Sequence, residues 1–96
     1  MPDVEITTEA NSDLVEIWLY TDEQFGATQA DRYLDQLAEA IDRLLVHPEL
    51  GKDRSDVKSG YRSIHVNKHV VFYRVINDGL LVVRVLHDSM DVLLHF

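Results

Sequence analysis

The sequence predicts an α+β domain in which a helical hairpin packs on one face of a small antiparallel sheet. Three observations predict it. Apolar residues recur at spacings of 3, 4 and 7 between residues 8 and 46, the pattern of amphipathic helices. β-Branched and aromatic residues dominate after residue 60. Among them lies Asn77-Asp78-Gly79, a strong local signal for a hairpin. The 96 residues leave room for one domain, 1–96.

The elements follow in order. Val4 and Ile6 alternate with Glu5 and Thr7, a short strand. Thr7 or Thr8 then caps a helix, and Glu9 in its first turn favours the helix dipole. Ala10, Leu14, Ile17, Trp18, Thr21 and Phe25 share one helical face. If Trp18 is core, Trp18→Ala costs about 3–5 kcal/mol. Gly26 is a stop signal, and a second helix carries Ala30, Tyr33, Leu34, Leu37, Ala38, Ile41, Leu44 and Leu45 on one face. So tight a junction implies an antiparallel hairpin. His47-Pro48 ends the second helix, because the residue before proline avoids helical geometry. Residues 49–60 read as a polar loop, followed by strands over roughly 61–66, 69–76 and 80–87. Asn67-Lys68 separates the first two strands. The tail, Asp88 to Phe96, forms a short helix or covers a sheet edge. The order is strand, helix, helix, strand, strand, strand.

Composition narrows the function classes. The chain has no cysteine, which removes disulfides and thiolate metal sites and fits a reducing cytoplasm. Met-Pro-Asp-Val-Glu is no secretory leader, and no apolar run exceeds five residues, far below the roughly 20 that span a bilayer. A soluble cytoplasmic protein is expected. Net charge is −8, unevenly spread. Residues 1–49 hold twelve Asp/Glu against two Arg, and residues 50–96 hold five against seven Lys/Arg. An acidic first half repels phosphate, so direct sequence-specific nucleic-acid binding is not expected.

The residues able to carry chemistry are few. Arg62, Arg74 and Arg84 fall in strands, the last two among apolar neighbours. By alternation, Arg74 shares a face with Val70, Phe72 and Ile76, and Arg84 with Leu80, Val82 and Leu86. Such arginines hold an anion, or they bond strand carbonyls or a carboxylate such as Asp88 or Asp91. His87 ends the last strand beside Asp88, where an acid or base would need a second group within reach. His65 and His69 lie four apart across a turn, too few ligands for a metal, and neither metal nor cofactor is expected. Asp31, Asp35, Glu39 and Asp42 line one helix face, either a solvated surface or a dock for a basic segment. No glycine-rich phosphate loop, nucleophile elbow or zinc signature is present.

Five stretches in order give the chain a family likeness. Asp13-Leu14-Val15-Glu16-Ile17-Trp18-Leu19-Tyr20 resembles the DLxEIWxY helix of ParE-type toxins, and Ala30 through Leu37 resembles their second helix. His47-Pro48-Glu49-Leu50-Gly51 matches HPELG. Tyr61-Arg62-Ser63-Ile64, followed by His69 through Val75, is similar to the paired strand signature. Val83-Arg84-Val85-Leu86-His87, then Met90-Asp91, matches VRVLHxxMD. The chain is thus identified as similar to the ParE/RelE superfamily, in its ParE-like, plasmid-stabilisation branch. The resemblance implies the RelE/ParE fold and the toxin of a type II toxin–antitoxin pair. It further implies a cognate ParD-like antitoxin partner in a hetero-oligomer, DNA gyrase as target, and no chemistry by the toxin itself. The implied alternative is a RelE-like ribosome-dependent mRNA endoribonuclease, for which Arg62, Arg84 and His87 would be catalytic. Trp18, Tyr33, Tyr73, Arg74, His87, Met90 and Asp91 are the candidate partner-binding residues, with His87 through Asp91 preferred for the target.

Overall fold

The computed structural model describes residues 3–96. The first strand, β1 (Asp3–Ile6), leads into α1 (Thr8–Phe25), and only Gly26 separates α1 from α2 (Ala27–Val46). Thr7 is the N-cap of α1: its Oγ1 accepts from the Ala10 N–H at 3.0 Å. The same hydroxyl donates to the Val83 carbonyl at 2.7 Å, so the cap also fixes the helix to the sheet.

Ala10, Ile17 and Thr21 of α1 and Ala30, Leu37, Ala40, Ile41 and Leu44 of α2 are buried. The helix faces differ from expectation at three positions. Trp18 is half-buried, because it sits on the flank of α1 where its indole N–H reaches Asp31 of α2 at 2.8 Å. Phe25, in the last turn, and Ala38 are exposed.

After α2 comes a 3-10 turn, Pro48–Leu50, then β2 (Lys52–Asp53), β3 (Arg62–Val66), β4 (His69–Ile76) and β5 (Gly79–His87). Strand β2 lies inside the expected loop; two exposed polar residues carry no periodicity to betray a strand. A second 3-10 turn, Val92–Leu94, is the only helical structure in the tail.

The sheet order is β1-β5-β4-β3-β2. All neighbours are antiparallel except β1 and β5, which run parallel with Ile6 opposite Val82. The sheet is therefore mixed rather than antiparallel throughout. Alternation marks a strand but not its direction against a partner 70 residues away. Gly79 makes this pairing possible: its φ is +136°, and a Cβ there would overlap the backbone of Asp3.

The β4–β5 register slips once. Tyr73 faces Val82 and Phe72 faces Arg84, which leaves Val83 as an extra residue on β5. Before the bulge, Leu80 and Val82 face the helices; after it, Val85 does. Arg84 and Leu86 are thereby moved to the other face, contrary to the simple alternation.

The main core joins Ala10, Ile17, Leu37 and Ile41 to Val71, Val82 and Val85, and a second cluster joins Leu44 to Tyr73 and Leu80. The far face of the sheet is covered differently. Phe72 is buried there beneath Phe96, whose ring centroid lies 5.1 Å away, and Arg54, whose guanidinium lies 5.1 Å from the ring. Phe96 also meets Tyr61 edge to face at 5.6 Å. The tail thus covers a sheet face, not an edge.

Candidate functional site: a groove beside the open end of β5

β1 pairs with β5 only as far as Val82, so Val83–His87 form an outer edge that no strand covers. Helix α1 runs beside that edge, and between them lies a groove of about 800 Å³. One wall comes from α1, with Asp13, Glu16, Ile17, Tyr20, Thr21 and Phe25. The other comes from β5 and the start of the tail, with Val85, Leu86, His87, Ser89 and Met90. Tyr33, Lys68 and His69 close one end. Tyr20, Phe25 and Met90 are 64%, 72% and 45% exposed, an unusual display of large apolar groups around one depression.

The free edge is blunted by side chains. Thr7 takes the Val83 carbonyl, and Asp13 Oδ2 accepts the Val85 N–H at 2.9 Å. Asp13 also receives Arg84 in bidentate fashion, Nε to Oδ2 and Nη2 to Oδ1, both at 2.8 Å. That bonding pushes the Arg84 pKa further above its usual value. The third guanidinium nitrogen donates to the His95 carbonyl at 3.1 Å. Arg84 therefore ties helix, strand and tail together with no nitrogen left over for an anion.

A polar chain runs along the groove's closed end. Tyr33 O–H and His69 Nδ1 are 2.6 Å apart. Burial raises the Tyr33 pKa, opposed by the Lys68 N–H bonded to its oxygen. Burial lowers the His69 pKa, helped by His87 and opposed by Asp88. His87 Nδ1 bonds Ser89 Oγ at 2.7 Å, and His65 meets Asp88 at 3.1 Å. Among the described residues, no group of three or more His, Asp or Glu side chains is arranged to hold a metal. No described helix is long and apolar enough to cross a membrane.

The residues singled out from sequence are spread through the molecule. Tyr33, His87 and Met90 line the groove, whereas Trp18 is outside its lining and bonds Asp31 of α2. Asp91 caps the tail turn by accepting from the Leu93 N–H. Arg74 is exposed on β4, away from the groove. Tyr73 is 0% exposed and so presents no surface to a partner. Its hydroxyl instead donates to the Pro48 carbonyl at 2.5 Å and accepts from the Gly51 N–H at 3.0 Å, holding the turn after α2.

Arg62, Arg84 and His87 do not converge. Arg62 donates to the Gly51 carbonyl at 2.8 Å at the start of β3, while His87 ends β5 opposite His69. Sequence reading missed Asp13 as a site residue. The signal was available: a carboxylate three residues after Ala10 and four before Ile17 sits beside the buried stripe and needs a partner.

Comparison with known proteins follows the same outline. Residues 4–92 match the family model described as ParE toxin of type II toxin–antitoxin system, parDE. Toxin ParE1 of Mycobacterium tuberculosis is 41% identical over 88 residues, 91% of this chain and 90% of that protein. A solved chain of the chromosomal ParDE system from P. aeruginosa superposes with a TM-score of 0.77 at 19% identity, covering 91% of this chain and 96% of that one. A chain of the E. coli DinJ–YafQ complex superposes less closely, with a TM-score of 0.51 at 17% identity over 93% of this chain and 96% of that one.

Proposed function

The chain belongs to the ParE toxin family of type II toxin–antitoxin systems, and on that premise we propose that it is a gyrase-directed toxin silenced by an antitoxin seated in the α1–β5 groove. The observation that carries the antitoxin site is the exposure of Tyr20, Phe25 and Met90 around one depression beside an uncovered strand edge. Burying such a patch in a partner segment recovers the hydrophobic free energy that it forgoes in water. Thr7 and Asp13 already occupy two edge groups of β5, the Val83 carbonyl and the Val85 N–H, which favours a segment that inserts side chains, as a helix does, over one that adds a strand. The two-component systems named for the superposed structures support such a partner.

Gyrase as target rests on family membership and places the protein in the cytoplasm, where that enzyme works. It is a binding activity with no bond made or broken by the toxin. The engagement of Arg84 supports this over mRNA cleavage, because each of its guanidinium nitrogens already bonds Asp13 or the His95 carbonyl, while Arg62 holds the Gly51 carbonyl at the start of β3, apart from it. His87, Met90 and Asp91 are the proposed target contacts. His87 and Met90 also line the groove, so a seated antitoxin covers part of that contact surface.

The test is induction of the chain alone in bacteria, with DNA and protein synthesis labelled separately. Gyrase poisoning predicts an early fall in DNA synthesis and, with purified gyrase, accumulation of cleaved DNA. An early fall in protein synthesis with DNA synthesis intact would overturn the target. Phe25→Glu or Met90→Glu is expected to weaken antitoxin binding by at least tenfold, since each buries a charge in an apolar contact. Unchanged affinity would remove the groove from the antitoxin site.

A further inference from the structure

The groove carries two imidazoles whose ionisation the binding reading has not used. His69 and His87 are register partners on β4 and β5, and their rings meet edge to face at 5.3 Å. His69 faces the helices by plain alternation with Val71 and Tyr73, and the bulge at Val83 brings His87 to the same side. Each ring has its Nδ1 engaged from outside the pair. His87 Nδ1 accepts the Ser89 backbone N–H at 3.1 Å. The Tyr33 oxygen accepts the Lys68 N–H at 3.4 Å, which directs its own proton to His69 Nδ1. A proton added at either Nδ1 displaces an existing donor.

The charges around the pair are mixed. Lys68 stands at the end of the groove, Glu16 faces in from α1, and a third histidine, His95, lines it from the tail. Asp13 is matched by Arg84. Asp88 lies 3.4 Å from His87 Nδ1 and favours a charged ring, but it is shared with His65 at 3.1 Å. Charging one ring also places a cation against the other. Burial already holds His69 below its ordinary pKa in the free chain.

We propose that seating of the antitoxin in this groove is proton-linked: its apolar segment binds the neutral His69–His87 pair and is released as these imidazoles charge. The inference rests on the antitoxin reading above. An apolar occupant, chosen because Tyr20, Phe25 and Met90 surround the depression, strips water from both rings. Desolvation penalises imidazolium far more than imidazole. Protons must then leave on binding, and affinity falls below the imidazole range.

The full chain is titrated, at pH 7.5 and 5.5, with the ParD-like antitoxin that neutralises it. The expected result is a Kd higher at pH 5.5 by roughly fivefold to tenfold for each imidazole that must be neutral. In the double variant His69→Gln, His87→Gln the ratio of the two Kd values collapses toward one. Should that variant melt early, histidine Cε1 proton shifts are followed in the wild type, where the pKa of His69 must drop on complex formation. Tight binding with no pH dependence, binding that strengthens in acid, or an unchanged ratio in the double variant would each overturn the linkage and leave the antitoxin reading standing. No binding at either pH would overturn the antitoxin reading itself, and the linkage with it.

Discussion

Asp13 and Arg84 illustrate what one pair of side chains decides. Their carboxylate and guanidinium are 11% and 20% exposed and share two hydrogen bonds. Asp13 also satisfies the Val85 N–H, and Arg84 the His95 carbonyl. Removing one member strands the rest. Asp13→Ala is expected to destabilise the chain by about 2–4 kcal/mol, read from chemical denaturation, with Asp13→Asn losing less because it retains an acceptor. A cost below about 1 kcal/mol would mean that water replaces the carboxylate at no loss. Trp18 moves in the opposite direction from its sequence reading. Half-buried with its indole N–H on Asp31, it is expected to cost about 2 kcal/mol on Trp18→Ala, less than a core tryptophan. Arg84 was visible in the sequence as an arginine in need of a partner. Asp13 was not visible as that partner, because 71 residues separate them and no local pattern expresses such a contact.

The helices were legible because their stripes are long. Alternation and the Asn77-Asp78 turn likewise announced β3, β4 and β5. What could not be read were features one or two residues in extent: β2, the parallel direction of β1, and the bulge. The HPELG stretch shows a residue chosen for an element it does not belong to. Gly51 has an ordinary extended φ of −72°, yet a Cβ there would overlap the Tyr73 hydroxyl and ring. The glycine is required by the packing of a side chain on β4, not by its own backbone. Gly51→Ala is expected to displace Tyr73 from the core and to cost about 1–3 kcal/mol, lowering the thermal midpoint by several degrees. If Tyr73→Phe abolishes the cost, the clash resides in the hydroxyl alone; if it persists, the ring is the obstacle.

Over the whole molecule, the sheet is covered by two unlike layers. Helices protect one face, and the tail with Arg54 protects the other through the Phe96–Phe72 contact. A chain this short has little core to spare. Phe96→Ala is expected to expose Phe72 and to cost about 1–2 kcal/mol, since Phe96 is 43% exposed and contributes only part of its area. Dye binding to the newly open face would rise with it, and an unchanged signal would show that Arg54 and Tyr61 suffice. The acidic first half of the chain explains an absence from the sequence reading. It pointed away from nucleic acid, but charge totals do not locate a groove.

The surplus residue at Val83 is a phase shifter. Everything downstream of it on β5 is read half a period out of step with everything upstream. Were β5 to run straight with Val83 still in place, Arg84 would enter the layer of helices, Val85 would turn outward and the two imidazoles would part, while every side chain kept its chemistry. Deleting Val83 instead puts Arg84 next to Val82 in ordinary alternation and keeps each side chain on its present face. An inherited gap of one position here would thus spare the groove, whereas a gap of one position between Arg84 and His87 would turn His87 away from His69.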